Sequence, residues 1–176
     1  DAGCGRNVQA GTFHSFGLRA WRKVAPDVKV EGKKVIGIMA ALEVPEELQS
    51  FVGALVSLAK NHGVGVLERM DDQSSWYRIV EHFELEDKLS EDPMVSEETL
   101  AELLHSGLQW GYKVLKRSIE MDREVIDFDD MIYAPLVHNV RMWQNDWVFI
   151  DEAQDTNPAR RALAKKMLKT GGRLVA

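Results

Sequence analysis

Apolar positions recur along this chain with two different periods, and the change of period marks out its parts. In "PEELQSFVGALVSLAKNHG", Leu48, Phe51, Leu55 and Leu58 lie on one helical stripe that stops at Asn61–Gly63. "SSWYRIVEHF" predicts another helix. After the acidic linker "ELEDKLSEDP", Ser96 is a good N-cap for a long helix with Leu100, Leu103, Leu104, Leu108 and Leu115 turned inward. Nearer the start, "NVQAGTF" reads as a strand leaving through Gly11, and "HSFGLRAWRKV" as a helix with Leu18, Trp21 and Ala25 on one face. The strand signal then disappears until Trp147, Val148, Phe149 and Ile150. This apolar run lacks polar alternation and predicts a strand covered on both faces, as in the centre of a parallel sheet. Asn157-Pro158 opens a helix predicted to run through Lys169, the Gly171–Gly172 pair ends it, and "RLVA" resumes the sheet.

The order is therefore α/β, then all-helical, then α/β. This predicts an α/β fold with a parallel sheet, built from residues 1–24 and 127–176 and interrupted by a helical insertion over residues 25–126. Composition agrees with a globular chain: 176 residues, 45% hydrophobic and 28% charged, enough to bury a core. The formal net charge of -6 removes any global basic signature, so nucleic-acid binding has to come from local groups or stacking. Cys4 stands alone, which excludes an internal disulfide framework, and no apolar run approaches the roughly 18 residues of a membrane span. The expectation is a soluble intracellular, cytoplasmic chain. It begins without methionine and stops as a strand starts, which reads as a piece of a longer protein.

The candidate chemistry sits in "WVFIDEAQDTNP", residues 147–158, where Asp151, Glu152 and Asp155 follow the apolar run. Ligands of parallel sheets gather at the carboxyl ends of strands. A carboxylate there can hold a magnesium ion against nucleotide phosphates, and a second one residue on can polarise the attacking water. On spacing alone, a solvated acid pair or acids helping to cap the next helix fit equally well. The full string "VFIDEAQDTNP" is more specific: it resembles the magnesium-binding motif of superfamily-one DNA helicases of the UvrD/Rep type. Two further segments match in the right order. "AGTFHSFGLRAWRK", residues 10–23, resembles the family's segment that touches single-stranded DNA, and "DFDDMIYAPL", residues 127–136, the stretch that returns the chain to the first motor domain.

The resemblance implies a partial RecA-like P-loop NTPase motor domain carrying its helical insertion, in an ATP-dependent DNA helicase or translocase. It implies Asp151 as the magnesium ligand, Glu152 as the catalytic base and Gln154 as a second catalytic residue, with Gln154 and Asp155 as the link to the DNA side. Thr12, Phe13, His14 and Ser15 would lie along the single strand, where hydroxyl and imidazole groups bond phosphate and a ring stacks a base. ATP and Mg2+ are the implied cofactors; single-stranded DNA, duplex junctions and ATP are the implied partners, with no membrane and a monomeric state. The chain departs from the family in lacking a Gly-x4-Gly-Lys-Ser/Thr cradle: its Gly32-Lys33 is followed by Lys34 and has Asp27 where the first glycine belongs, and "GCG" at residues 3–5 is too weak to count. By itself it is not expected to hydrolyse ATP.

Other constellations carry less. Asp127, Asp129 and Asp130 could be drawn with the Asp151-Glu152 pair as a nuclease cluster, but Asp127 reads better as a helix cap with its neighbours on the helix dipole. "ELEDK", residues 84–88, reads as a solvated face. The histidines show no zinc-ligand spacing. Trp76, Trp110 and Trp143 read as core. The competing function is a non-enzymatic protein-interaction module formed by the helical region on an α/β scaffold.

Overall fold

A computed structural model describes residues 8–90 and 95–176. Among the described residues there are seven α-helices: α1 (Phe13–Trp21), α2 (Lys34–Ala41), α3 (Glu46–His62), α4 (Gln73–His82), α5 (Glu97–Met121), α6 (Asp130–Val137) and α7 (Pro158–Lys166). Four strands pair in two parallel ribbons. β1 (Lys29–Val30) lies beside β2 (Val125–Ile126), and β3 (Asn145–Phe149) beside β4 (Leu168–Val175).

The helical signals in the sequence are met closely. Ser96 Oγ accepts the amide of Thr99 at 3.2 Å and starts the 25-residue α5. Glu46 and Glu47 occupy the first turn of α3 and Lys60 and His62 its last, each matching the sign of the helix dipole there. The stripe on α3 is shifted from the four residues the period picks out, since Leu58 is only partly buried while Val52, Val56 and Ala59 are fully buried beside Leu48, Phe51 and Leu55. α5 lies close against it because Gly107 and Gly111 stand where a Cβ would come within 2.6 Å of Phe51 and 2.7 Å of Leu55.

Four expectations are corrected. Val8–Thr12 forms no strand; it leads straight into α1, and the earlier part of that segment, with "GCG", lies outside the described residues. The helical stretch is not strand-free, because Lys29–Val30 reaches across to pair with Val125–Ile126. β3 is not covered on both faces: Trp147 is 49% and Phe149 73% exposed, stacked on each other with centroids 6.0 Å apart. Val148 packs against the cluster formed by α1, α6 and α7, so one face of this apolar run is covered while the Trp147–Phe149 face is largely exposed. Lastly, α7 stops at Met167, and Gly171–Gly172 does not end it. The pair lies inside β4, in the irregularity where the register jumps from Asn145↔Leu168 to Trp147↔Arg173, with Gly171 at φ +80°.

Two apolar clusters result. One joins α2, α3, α4 and α5 around Phe51, Leu55, Trp76 and Leu115; the other joins α1, α6 and α7 around Trp21, Ile126, Ile132 and Leu163. Between them runs a buried ionic network that no periodicity foretells. Lys34 Nζ contacts Asp122 Oδ1 and Asp130 Oδ2, both at 2.7 Å. Lys60 Nζ contacts Asp127 Oδ2 at 2.6 Å and Asp130 Oδ1 at 2.7 Å, the latter as an ion pair without hydrogen-bond alignment. Asp127 is not the N-cap of α6, which is Asp129, but closes the turn ahead of it: its Oδ1 accepts the Asp130 amide at 2.8 Å, and Asp130 Oδ2 accepts the Asp127 amide at 3.0 Å. Its second oxygen belongs to the network.

Burial raises the Asp122 carboxyl to about 7, with the negative charge of Asp130 adding to it against the pull of Lys34. Burial and Asp130 raise Asp127 in the same direction. Asp130 goes the other way: burial would raise it, but the two lysines flanking it hold it below the usual carboxylate range. Burial would likewise lower Lys60, yet Asp130 and Asp127 raise it overall.

Candidate functional site

The loop after β3 carries the acids. Asp151 is exposed and its Oδ1 accepts the amide of Glu152 at 3.1 Å, which leaves its other oxygen toward solvent chemistry. Glu152 adopts a left-handed backbone, φ +50°, ψ +48°, uncommon for a residue with a Cβ and a form of local strain that concentrates at functional sites. Gln154 Nε2 donates to Glu152 Oε2. A single 3-10 turn over Ala153–Asp155 follows, closed by the Asp155 amide on Glu152 O at 3.0 Å and the Thr156 hydroxyl on Ala153 O at 2.7 Å. Asn157 then caps α7, its Oδ1 accepting the Arg160 amide at 2.9 Å, with Pro158 in the first turn, where its missing N–H costs nothing.

The other half of the site is the first turn of α1. Thr12 is its N-cap, with Oγ1 accepting the Ser15 amide at 3.2 Å while the Ser15 hydroxyl donates to Thr12 O at 2.8 Å. Thr12 and Ser15 are exposed, Phe13 and His14 half-buried. Burial, and then the positive charge of Arg160, hold His14 below the usual histidine range, with Asp129 pulling weakly the other way. At neutral pH the ring is therefore an uncharged hydrogen-bonding group.

These two halves, more than a hundred residues apart in sequence, line one cleft of about 410 Å3. Its walls include Thr12, Phe13, His14 and Phe16 from α1, Asp151, Glu152 and Asp155 from the strand-end loop, and Arg160 from α7. Of the residues singled out in sequence, Ser15 and Gln154 do not line it. Sequence reasoning missed Arg160, and also a polar tie behind the loop. Asn157 Nδ2 donates to Asn61 Oδ1 at 2.6 Å, Asn61 Nδ2 to Asp129 Oδ1 at 3.1 Å, and Ser57 Oγ to Asp129 Oδ2 at 2.6 Å. The capping motif Asn157-Pro158 is a sequence signal for one end of that tie; nothing in the sequence marks Asn61 as the other.

A model of the UvrD/REP helicase N-terminal domain family matches residues 3–176. The chain belongs to that family. No curated protein and no solved structure matches it. Membership in the UvrD/REP family makes this a helicase-type chain, and the mixed α/β fold with short parallel strands is compatible with it. Among the described residues no group of three or more acidic, histidine or cysteine side chains converges as a metal cage. The donor set at the strand end is thus one or two exposed carboxylates. That set fits Mg2+, which keeps most of its waters and is normally shared between a carboxylate or two and substrate phosphates. Again among the described residues, no helix is long and apolar enough to cross a membrane.

Proposed function

We propose that this chain is part of the first motor domain of an ATP-driven DNA helicase, coupling ATP hydrolysis to movement along single-stranded DNA and acting at duplex junctions. In this reading residues 1–24 and 127–176 belong to a RecA-like motor domain and residues 25–126 to its helical insertion. The observation that carries it is the shared cleft, in which the first turn of α1 faces the acids after β3.

Asp151 would hold Mg2+, which when bound with ATP supplies positive charge against the phosphates. Glu152 would take the proton of the attacking water, its carboxylate oriented by the amide of Gln154. Thr12 can still donate its hydroxyl proton while its lone pair caps α1, and neutral His14 and Phe13 add a hydrogen bond and a ring face for a single strand. Asp155, at the end of the 3-10 turn that joins the acids to α7, would couple the nucleotide end of the cleft to the α1 end. With no Gly-Lys-Ser/Thr cradle in the sequence, the chain by itself is proposed to lack ATP turnover.

The test is steady-state ATPase of the full-length protein with single-stranded DNA. Glu152→Gln should lower turnover by roughly two to four orders of magnitude with nucleotide binding retained, the usual worth of a positioned base. Asp151→Asn should weaken Mg2+-dependent nucleotide binding as well. Normal rates in both variants would sink the motor reading and favour an interaction module.

A further inference from the structure

Arg160 is the one lysine or arginine among the residues that line the cleft. Three carboxylates line the same cleft, yet no acidic oxygen among the described residues lies within ion-pair distance of the Arg160 guanidinium. Its Nε is completely enclosed and has no acceptor among them. The hydrogen bond that Arg160 does make is through its backbone, to the capping Asn157. A buried guanidinium N–H without an acceptor is costly, and such groups are rare unless something else supplies the oxygen.

The surroundings select the kind of oxygen. Arg160 lines the same cleft as His14, whose ring burial first and the Arg160 charge second hold below the usual histidine range, so beside this one permanent cation the cleft presents an imidazole and the Thr12 hydroxyl. A planar guanidinium with free donors matches an anion with several equivalent oxygens, and phosphate is the anion it pairs with in a forked geometry. The strand-end acids sit beyond pairing distance and leave that role open.

We propose that Arg160 is a phosphate-binding residue of this cleft. The proposal rests on reading the cleft as a site for nucleic acid and nucleotide, and it names a residue that such a site uses beyond those legible in the sequence. Two sources can provide the phosphate, the backbone of the single strand or the nucleotide, and they are separable by experiment.

The full-length protein is titrated with a fluorescein-labelled oligothymidylate over a range of salt concentrations, and separately with a fluorescent ATP analogue plus Mg2+, for wild type, Arg160→Gln and Arg160→Lys. If the single strand supplies the phosphate, Arg160→Gln weakens oligonucleotide binding by roughly tenfold or more, the worth of a charged hydrogen bond, and nucleotide affinity is unchanged. The slope of log K against log salt then shrinks by about 0.7, one phosphate contact on a single strand. Arg160→Lys restores the slope but only part of the affinity, because it keeps the charge and loses the fork. If the nucleotide supplies the phosphate, the affinity loss appears in the ATP-analogue titration and the DNA slope stays as in wild type. Unchanged affinity for both probes in an Arg160→Gln protein that melts like wild type would overturn the proposal and leave Arg160 a packing residue. That result is distinct from failure of the motor reading, which would show as normal ATPase in Glu152→Gln whatever Arg160 does.

Discussion

Three carboxylates share two ammonium groups in the interior, and this mismatch decides how each side chain titrates. Asp130 touches both Lys34 and Lys60 and keeps its charge; Asp122 and Asp127 have one lysine each and bear the cost of burial. Between the ordinary aspartate value and about 7, native Asp122 retains a proton that the unfolded chain has released. Its contribution to stability is therefore full below about pH 4 and lost as pH rises through about 7. His138, 3.2 Å from Asp122 and held below its usual range first by burial and then by Arg123, contributes with the opposite sign. Denaturant titrations of wild type and Asp122→Asn at several pH values isolate the aspartate. The stability of wild type relative to the variant should fall from pH 4 to pH 7, and a rise would contradict the raised carboxyl. A second residue-scale expectation concerns Gly17. A Cβ there would lie 2.0 Å from Met131 O, a clash with backbone that side-chain motion cannot relieve. Gly17→Ala should cost about 3 kcal/mol or more in urea unfolding, at the upper end of overpacking penalties.

At the scale of elements, the strand-end loop is held from behind by a helix of the other apolar cluster. α7 begins at a cap whose free amide donates to Asn61 on α3, and Asn61 in turn bonds Asp129 just ahead of α6. Three elements distant in sequence are thus pinned to one another next to the acids. Asn157→Asp keeps a side-chain cap but removes the donor to Asn61, while Asn157→Ala removes both. Thermal melting should rank the stabilities as wild type, then Asn157→Asp, then Asn157→Ala, the last step being about 1 kcal/mol for the cap. A double-mutant cycle of Asn157→Ala with Asn61→Ala should give a coupling energy of about 0.5 kcal/mol or more, as residues in one hydrogen-bond network do. Strict additivity would mean that the tie carries no energy.

Across the whole molecule, the buried charges lie where the two apolar clusters meet. Lys34 comes from α2, Asp122 follows α5, Asp130 opens α6 and Lys60 lies in the last turn of α3. Trp21 of α1 joins them by donating its Nε1–H to Asp122 O at 2.9 Å and stacking on His138. Removing one partner from such a network strands a buried charge, which is far worse than never having placed it there. Lys34→Met should destabilise the chain by about 3–5 kcal/mol, with amide exchange rising in both clusters together. Exchange rising in only one would mean that the network does not join them. At the opposite extreme of burial, the Trp147–Phe149 face is apolar and exposed, with Arg173 over Trp147 at 5.1 Å. Phe149→Lys should leave the melting temperature within a few degrees and reduce self-association in light scattering, since the side chain is 73% exposed.

Much of the architecture was legible because it depends on local chemistry. Helical periods placed α1, α3, α4 and α5, the Asn157-Pro158 signal placed the start of α7 though not its end, and Ser96 announced the cap of α5, because capping and amphipathicity need only residues three or four apart. The motif strings pointed to the family, which the match over residues 3–176 bears out. Sequence by itself could not say that Val125–Ile126 would find Lys29–Val30, since strand pairing is settled by partners anywhere in the chain. For the same reason it mistook an exposed ribbon for a buried strand: an apolar run specifies a preference for burial, and whether anything covers it is a property of the neighbours. "DFDD" looked like a helix cap with its neighbours on the helix dipole, and tertiary structure turned two of its acids into members of a buried network, because Lys34 and Lys60 arrive from helices more than sixty residues away. The cleft follows the same logic. Its acids and its Thr12–His14 turn were each readable alone, but only folding brought them onto one cavity and set Arg160 among them, because side chains separated by most of the chain become neighbours through packing, which no local pattern encodes.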